Sequence, residues 1–142
     1  MTYRYLEEIG TADIAFEAAG RDLPELFRDA ADATTNVMID NLDAIEPRET
    51  RRVELSNDEL DMLLFDLLQE LIYLKDSERL LLRIREVHID KQGKYFLKAI
   101  VQGEPLDAER HHQRADVKAV TLHDFSVEQT ESGWKARVLL DI

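Results

Sequence analysis

Asp13, in the run Gly10-Thr11-Ala12-Asp13-Ile14, and Asp141, beside the final residue Ile142, are the residues whose chemistry depends most on where the chain places them. If the fold joins the two segments, two aspartate side chains and the free carboxylate of Ile142 gather at one spot. Three carboxylates that close repel one another unless a cation or a proton sits between them. The pattern therefore defines a candidate hard-metal site, since Ca²⁺ accepts carboxylate and carbonyl oxygens. The plainer reading, a polar residue on the wet face of a strand, stays open on spacing alone.

Lys118 is the second candidate. Flanked by Val117 and Ala119, it falls in a predicted strand on one face with Val120 and Leu122. A lysine there must reach an edge or meet a carboxylate. His88, His111, His112 and His123 show no tight ligand spacing, and on a strand the adjacent His111 and His112 would point to opposite faces. They read as polar loop histidines. Ser56 reads as a helix cap, and Ser77 and Ser126 lack a nucleophile elbow. The five glycines are scattered, so no loop cradles phosphate. Glu104, Asp107 and Glu109 read as a solvated acidic loop rather than an acid–base pair.

The elements that must position these residues follow from periodicity. Residues 13–20 alternate as a strand closed by Gly20. Asp22 caps a helix with Pro24 in its first turn, and Leu23, Leu26, Phe27, Ala30, Ala31, Thr34, Val37 and Met38 form its apolar face. Residues 40–50 read as a loop and 51–55 as a short strand. Ser56 and Glu59 form a capping-box pattern for a second, largely buried helix over 57–75. Residues 80–90 and 94–103 flank Lys91-Gln92-Gly93, a hairpin turn. Residues 106–115 read as a polar loop, and 117–122, 125–129 and 134–141 as three more strands. In the last, Trp134, Ala136, Val138 and Leu140 share one face, which leaves Asp141 with the polar set. The expected architecture is α+β, one domain over residues 1–142, with a largely antiparallel or mixed sheet packed against two main helices.

Composition narrows the function. A net charge of −12 repels phosphate backbones, so tight direct nucleic-acid binding is not expected, whereas a basic partner or a cation is attracted. The absence of cysteine excludes disulfides, thiolate zinc sites and cysteine nucleophiles. The opening residues are no signal peptide, and no apolar run can span a bilayer, so a cytoplasmic, membrane-free protein is expected, as a monomer.

These segments resemble the archease family along essentially the whole chain. The carriers are Thr11-Ala12-Asp13-Ile14, Leu67-Leu68-Gln69-Glu70-Leu71-Ile72-Tyr73-Leu74-Lys75-Asp76, Gly103-Glu104-Pro105-Leu106-Asp107 with His111, Val117-Lys118-Ala119-Val120-Thr121-Leu122-His123, and Leu140-Asp141-Ile142. Three positions depart from the family pattern. Gly10 stands where a histidine is usual, Ala15 where a glycine is, and Leu122 where an aromatic is. The resemblance implies a non-catalytic protein cofactor of an RtcB-type tRNA-splicing RNA ligase, promoting guanylylation and multiple turnover. It implies a divalent metal at Asp13, Asp141 and Ile142, calcium foremost with manganese or magnesium as alternatives. It also implies that Lys118 contacts the ligase or its reaction centre. Two rivals are a free-standing metal-dependent hydrolase and a metal-independent, chaperone-like accessory protein in RNA modification.

Overall fold

Burial on one face of each strand sets the pairing of this chain. In the computed structural model, residues 2–6 and 13–142 are described; Gly10, Thr11 and Ala12 lie outside them. Four strands, β1 (Thr2–Tyr5), β2 (Asp13–Gly20), β6 (Ala119–Thr130) and β7 (Gly133–Asp141), form one sheet in the order β1-β2-β7-β6. Three more, β3 (Glu49–Asn57), β4 (Leu80–Gln92) and β5 (Lys94–Pro105), form a second sheet in the order β3-β5-β4. All these pairs are antiparallel. Helices α1 (Leu23–Met38) and α2 (Leu60–Glu78) complete an α+β fold, with a 3₁₀ turn at Leu42–Ala44.

The helix starts show which local signals prevail. Asp22 caps α1, its side chain accepting from the Glu25 N–H at 2.9 Å, with Pro24 in the first turn. The capping box expected at the start of α2 is not formed. Ser56 and Asn57 are drawn into β3, opposite Phe96 and Tyr95, and Glu59 occupies the cap position without a side-chain cap bond. Asn57 substitutes, accepting from the Glu59 N–H at 3.1 Å and donating to Asp66 at 3.0 Å. At its other end α2 stops on Arg79 in a left-handed conformation (φ 58°), and β4 begins at once.

The 80–103 hairpin forms as its turn predicts, with Gly93 at φ 78°. The strands read at 117–122 and 125–129 are one strand, β6. Its pairing with β7 shifts between Thr121 and Ser126, and Asp124 there has φ 54°. Lys118 therefore lies just before the strand rather than in it.

One apolar cluster joins both sheets and both helices. Phe16 and Ala18 of β2, Ala136, Val138 and Leu140 of β7, Leu26, Phe27 and Ala30 of α1, and Leu63, Leu67 and Leu71 of α2 are all buried in it. Ile14, Phe16 and Ala18 stand opposite Leu140, Val138 and Ala136. A slip of one residue would turn every one of these side chains to the outer face, so burial fixes the β2–β7 register. Among the described residues no helix is long and apolar enough to cross a membrane.

Candidate functional site

That register leaves the next position no choice: Asp13 stands directly opposite Asp141. Residues directly opposite in an antiparallel pair project to the same face with Cβ atoms about 4.5–5.5 Å apart, and like charges there are destabilising. Both aspartates are half-buried. Neither carboxylate has a hydrogen bond or ion pair with any described residue. Two acids thus stand together, with no base paired to either among the described residues. On β6 the same row continues with Ala119, and the side chain of Ile142 packs against the core.

The segment leading into β6 is pinned to this row. The Lys118 N–H donates to the Asp141 carbonyl at 2.8 Å. The Val120 N–H donates to Gln69 Oε1 of α2 at 2.8 Å, and Lys75 Nζ donates to the Val117 carbonyl at 2.8 Å and to Asp116 at 2.6 Å. Burial works to lower the Lys75 pKa, but Asp116 and Asp76 outweigh it and hold the ammonium above its ordinary value. The lysine read as needing an edge or a carboxylate, Lys118, has an exposed side chain with no ion pair to a described residue.

The donor set fits a hard divalent cation, since opposed carboxylates without a basic neighbour present what Ca²⁺, Mn²⁺ or Mg²⁺ accepts. Asp13 and Asp141 would hold it. Among the described residues no three His, Cys, Asp or Glu side chains gather in metal-binding geometry. Main chain, hydroxyl, water and the Ile142 carboxylate are further oxygen donors open to such an ion.

Sequence reasoning missed a second polar centre. Glu104, read as part of a solvated loop, is 2% exposed and His111 is 1% exposed. Glu104 accepts from the Glu46 N–H at 2.8 Å and from Arg110 at 2.9 Å, with His111 Nε2 at 2.9 Å. Burial pushes the Glu104 pKa up, but the Glu46 N–H, His111 and Arg110 together bring it below the usual carboxylate range. His111 Nδ1 accepts from the Asp107 N–H at 2.8 Å. Both ring nitrogens are therefore committed, and His111 is a structural brace rather than a free base. His112 is exposed and paired with Asp40 at 2.8 Å, while His88 and His123 are exposed. The one available signal was an acid followed closely by Arg110 and His111 in a chain poor in bases.

A third polar centre ties β1 to α1. Asp32, 1% exposed, takes two bonds from Arg83 at 3.1 and 3.0 Å. Asp29 is fully buried and accepts from the Thr2 N–H at 2.9 Å, and burial pushes its pKa up to about 6.

Comparison with known proteins gives a consistent result. Residues 3–142 match the model of the Archease protein family. The chain is 40% identical over 134 residues to the protein archease of Pyrococcus abyssi, covering 93% of this chain and 94% of that one. It is 39% identical over 143 residues to the protein archease of Methanosarcina acetivorans, covering 99% and 95%. The solution structure of Methanobacterium thermoautotrophicum protein 1598 superposes with a TM-score of 0.84 at 37% identity, over 99% of this chain and 98% of that one. A Thermotoga maritima archease, described as a possible chaperone, shares the fold at a TM-score of 0.59 and 21% identity, over 96% and 97%.

Proposed function

The chain belongs to the archease family, and from that premise we propose that it is a cytoplasmic, monomeric, non-catalytic activator of an RtcB-type tRNA-splicing RNA ligase, promoting guanylylation and multiple turnover. The observation that carries the reading is the register pair Asp13–Asp141, two carboxylates facing one another with no basic partner among the described residues. Asp13, Asp141 and the Ile142 carboxylate hold a divalent ion, calcium foremost, with manganese or magnesium as alternatives. When bound, such an ion supplies a Lewis-acidic centre able to polarise phosphoryl oxygen.

The chain's own residues carry the rest. The main-chain bond from Lys118 to Asp141 fixes the lysine beside the acid row, where its exposed ammonium meets the ligase or its reaction centre. A net charge of −12 steers the molecule toward the basic surface of an RNA-handling enzyme. Docking there favours the ligase conformation competent for nucleotidyl transfer.

The test is a guanylylation time course of the cognate ligase with and without this protein. The unsubstituted chain accelerates the reaction, and Asp13→Ala and Asp141→Ala abolish the effect. A short C-terminal extension, which removes the carboxylate from Ile142, weakens it. Full activation by the extended chain would eliminate the terminal carboxylate as a ligand.

A second reading, a metal-independent chaperone-like accessory role, draws on two large apolar side chains left in solvent, Tyr73 (61% exposed) and Leu122 (60%). It requires partner effects that persist in both aspartate variants and in the presence of a chelator.

A further inference from the structure

We propose that Thr121 is a positioning residue of the acid row, its hydroxyl donating to the Asp141 carboxylate from the β6 side when a cation holds that carboxylate from the β2 side. This rests on the reading of Asp13 and Asp141 as cation ligands. The register supplies the geometry. Asp13, Asp141 and Ala119 form one cross-strand row, and Ala15, Leu139 and Thr121 form the next. Alternation along each strand puts both rows on the same outer face of the sheet. Thr121 is thus the diagonal neighbour of Asp141, about 7–8 Å away between backbone positions, a gap that two side chains can close. Asp13 lies one strand further off.

The environment of the hydroxyl gives the second argument. Thr121 Oγ1 is buried and has no hydrogen-bond partner among the described residues. Its row-mates are dry although they lie on the outer face: Ala15 is 1% and Leu139 6% exposed, and neither belongs to the main apolar cluster. An unpartnered hydroxyl in such a place opposes folding, and valine would fill the same volume without that cost. A dry row bordering two opposed acids also lowers the local dielectric, which strengthens attraction for a cation.

The strand is built to allow a small adjustment here. Thr121 is the last β6 residue in register with β7 before the pairing shifts to Ser126, and Asp124 in that interval is left-handed. The threonine therefore sits where the ladder binds it from one side only. When one oxygen of the Asp141 carboxylate takes a cation on the Asp13 side, its other oxygen faces β6, within reach of a hydroxyl without a described partner. The carboxylate gains a donor and the hydroxyl gains a partner. Partners of this kind, behind the ligands themselves, typically alter metal affinity by about 10–100-fold.

The test uses the full chain without ligase. Calcium affinity is measured by calorimetric titration, and the melting temperature is measured in chelator. For Thr121→Val we expect calcium binding about 10-fold weaker and a cation-free melting temperature raised by roughly 2–4 °C. Thr121→Ser keeps the hydroxyl and should bind within about twofold of the unsubstituted chain, well inside the change that losing such a partner produces. Opposite movements of affinity and stability in the valine variant, with affinity kept in the serine variant, support the inference. Unchanged calcium affinity in Thr121→Val overturns it, as does an equal loss in both variants, which would mark a packing role. A lowered melting temperature for Thr121→Val also overturns it, because the hydroxyl would then have a partner already. If the unsubstituted chain and Asp141→Asn alike bind no calcium, the cation-ligand reading itself fails and takes this inference with it.

Discussion

Glu104 and Asp141 are both carboxylates at the ends of β-strands, and the chain treats them in opposite ways. Glu104 is buried and met by a main-chain N–H, a guanidinium and an imidazole. Asp141 is half-buried and met by another aspartate. At the first site, loop residues from 46 to 111 converge to satisfy one charge. At the second, the same sequence keeps two like charges adjacent and leaves the Lys118 side chain without an ion pair among the described residues. A carboxylate that serves the fold is supplied with donors from within the chain. A carboxylate pair left without them keeps a repulsion that the proposed cation would relieve.

The largest effect should come from breaking the satisfied member. Glu104→Gln removes the charge that Arg110 answers, and losing one partner of a buried pair costs about 3 kcal/mol of unfolding free energy in urea at pH 7. The sign with pH is definite. The folded-state pKa of Glu104 is depressed, so its contribution is present above the ordinary carboxylate range and is lost as pH falls through the folded value. The gap between the two chains should close in acid.

Asp29 sharpens the comparison, being a buried acid with only partial satisfaction. Its folded-state pKa is raised to about 6, so its contribution is full below the ordinary aspartate range and disappears as pH rises through about 6. Asp29→Asn retains an acceptor for the Thr2 N–H. It should gain roughly 2 kcal/mol on the unsubstituted chain between pH 4 and pH 7, read from denaturation midpoints across that range.

The smallest effect on stability, and the one of unusual sign, is at the acid row. Asp141→Asn relieves a like-charge pair and should stabilise the cation-free chain by about 0.5–1 kcal/mol, less in high salt. The same variant should lose calcium binding in calorimetry. Destabilisation by Asp141→Asn would place Asp141 with Glu104, as a structural acid.

Legibility from sequence followed locality. The hairpin turn at Gln92-Gly93 and the Asp22 cap depend on neighbours in the chain, and both form as read. β1 was not read, because four residues carry little periodicity. It is a strand through its pairing with β2, the Thr2 bond to Asp29 and the Tyr5 hydroxyl bond to the Ala33 carbonyl at 2.6 Å. The single expected sheet is two, since the choice of partner strand is a tertiary decision. The Ser56 cap gave way to the β3 ladder, and the Glu104 brace stayed hidden because the Glu46 N–H that completes it is remote in sequence. The meeting of Asp13 with Asp141 was legible only as a conditional, and the apolar register of β2 on β7 is what fulfils it.

β7 is an interior strand of its sheet, lying between β2 and β6. Until this late segment inserts, β2 and β6 have no neighbour on their facing sides, and closing so distant a contact is slow. The acid row comes into being only with that insertion. A molecule arrested halfway to its native state therefore has no place to hold the proposed ion, and anything that engaged the row would select finished copies over unfinished ones.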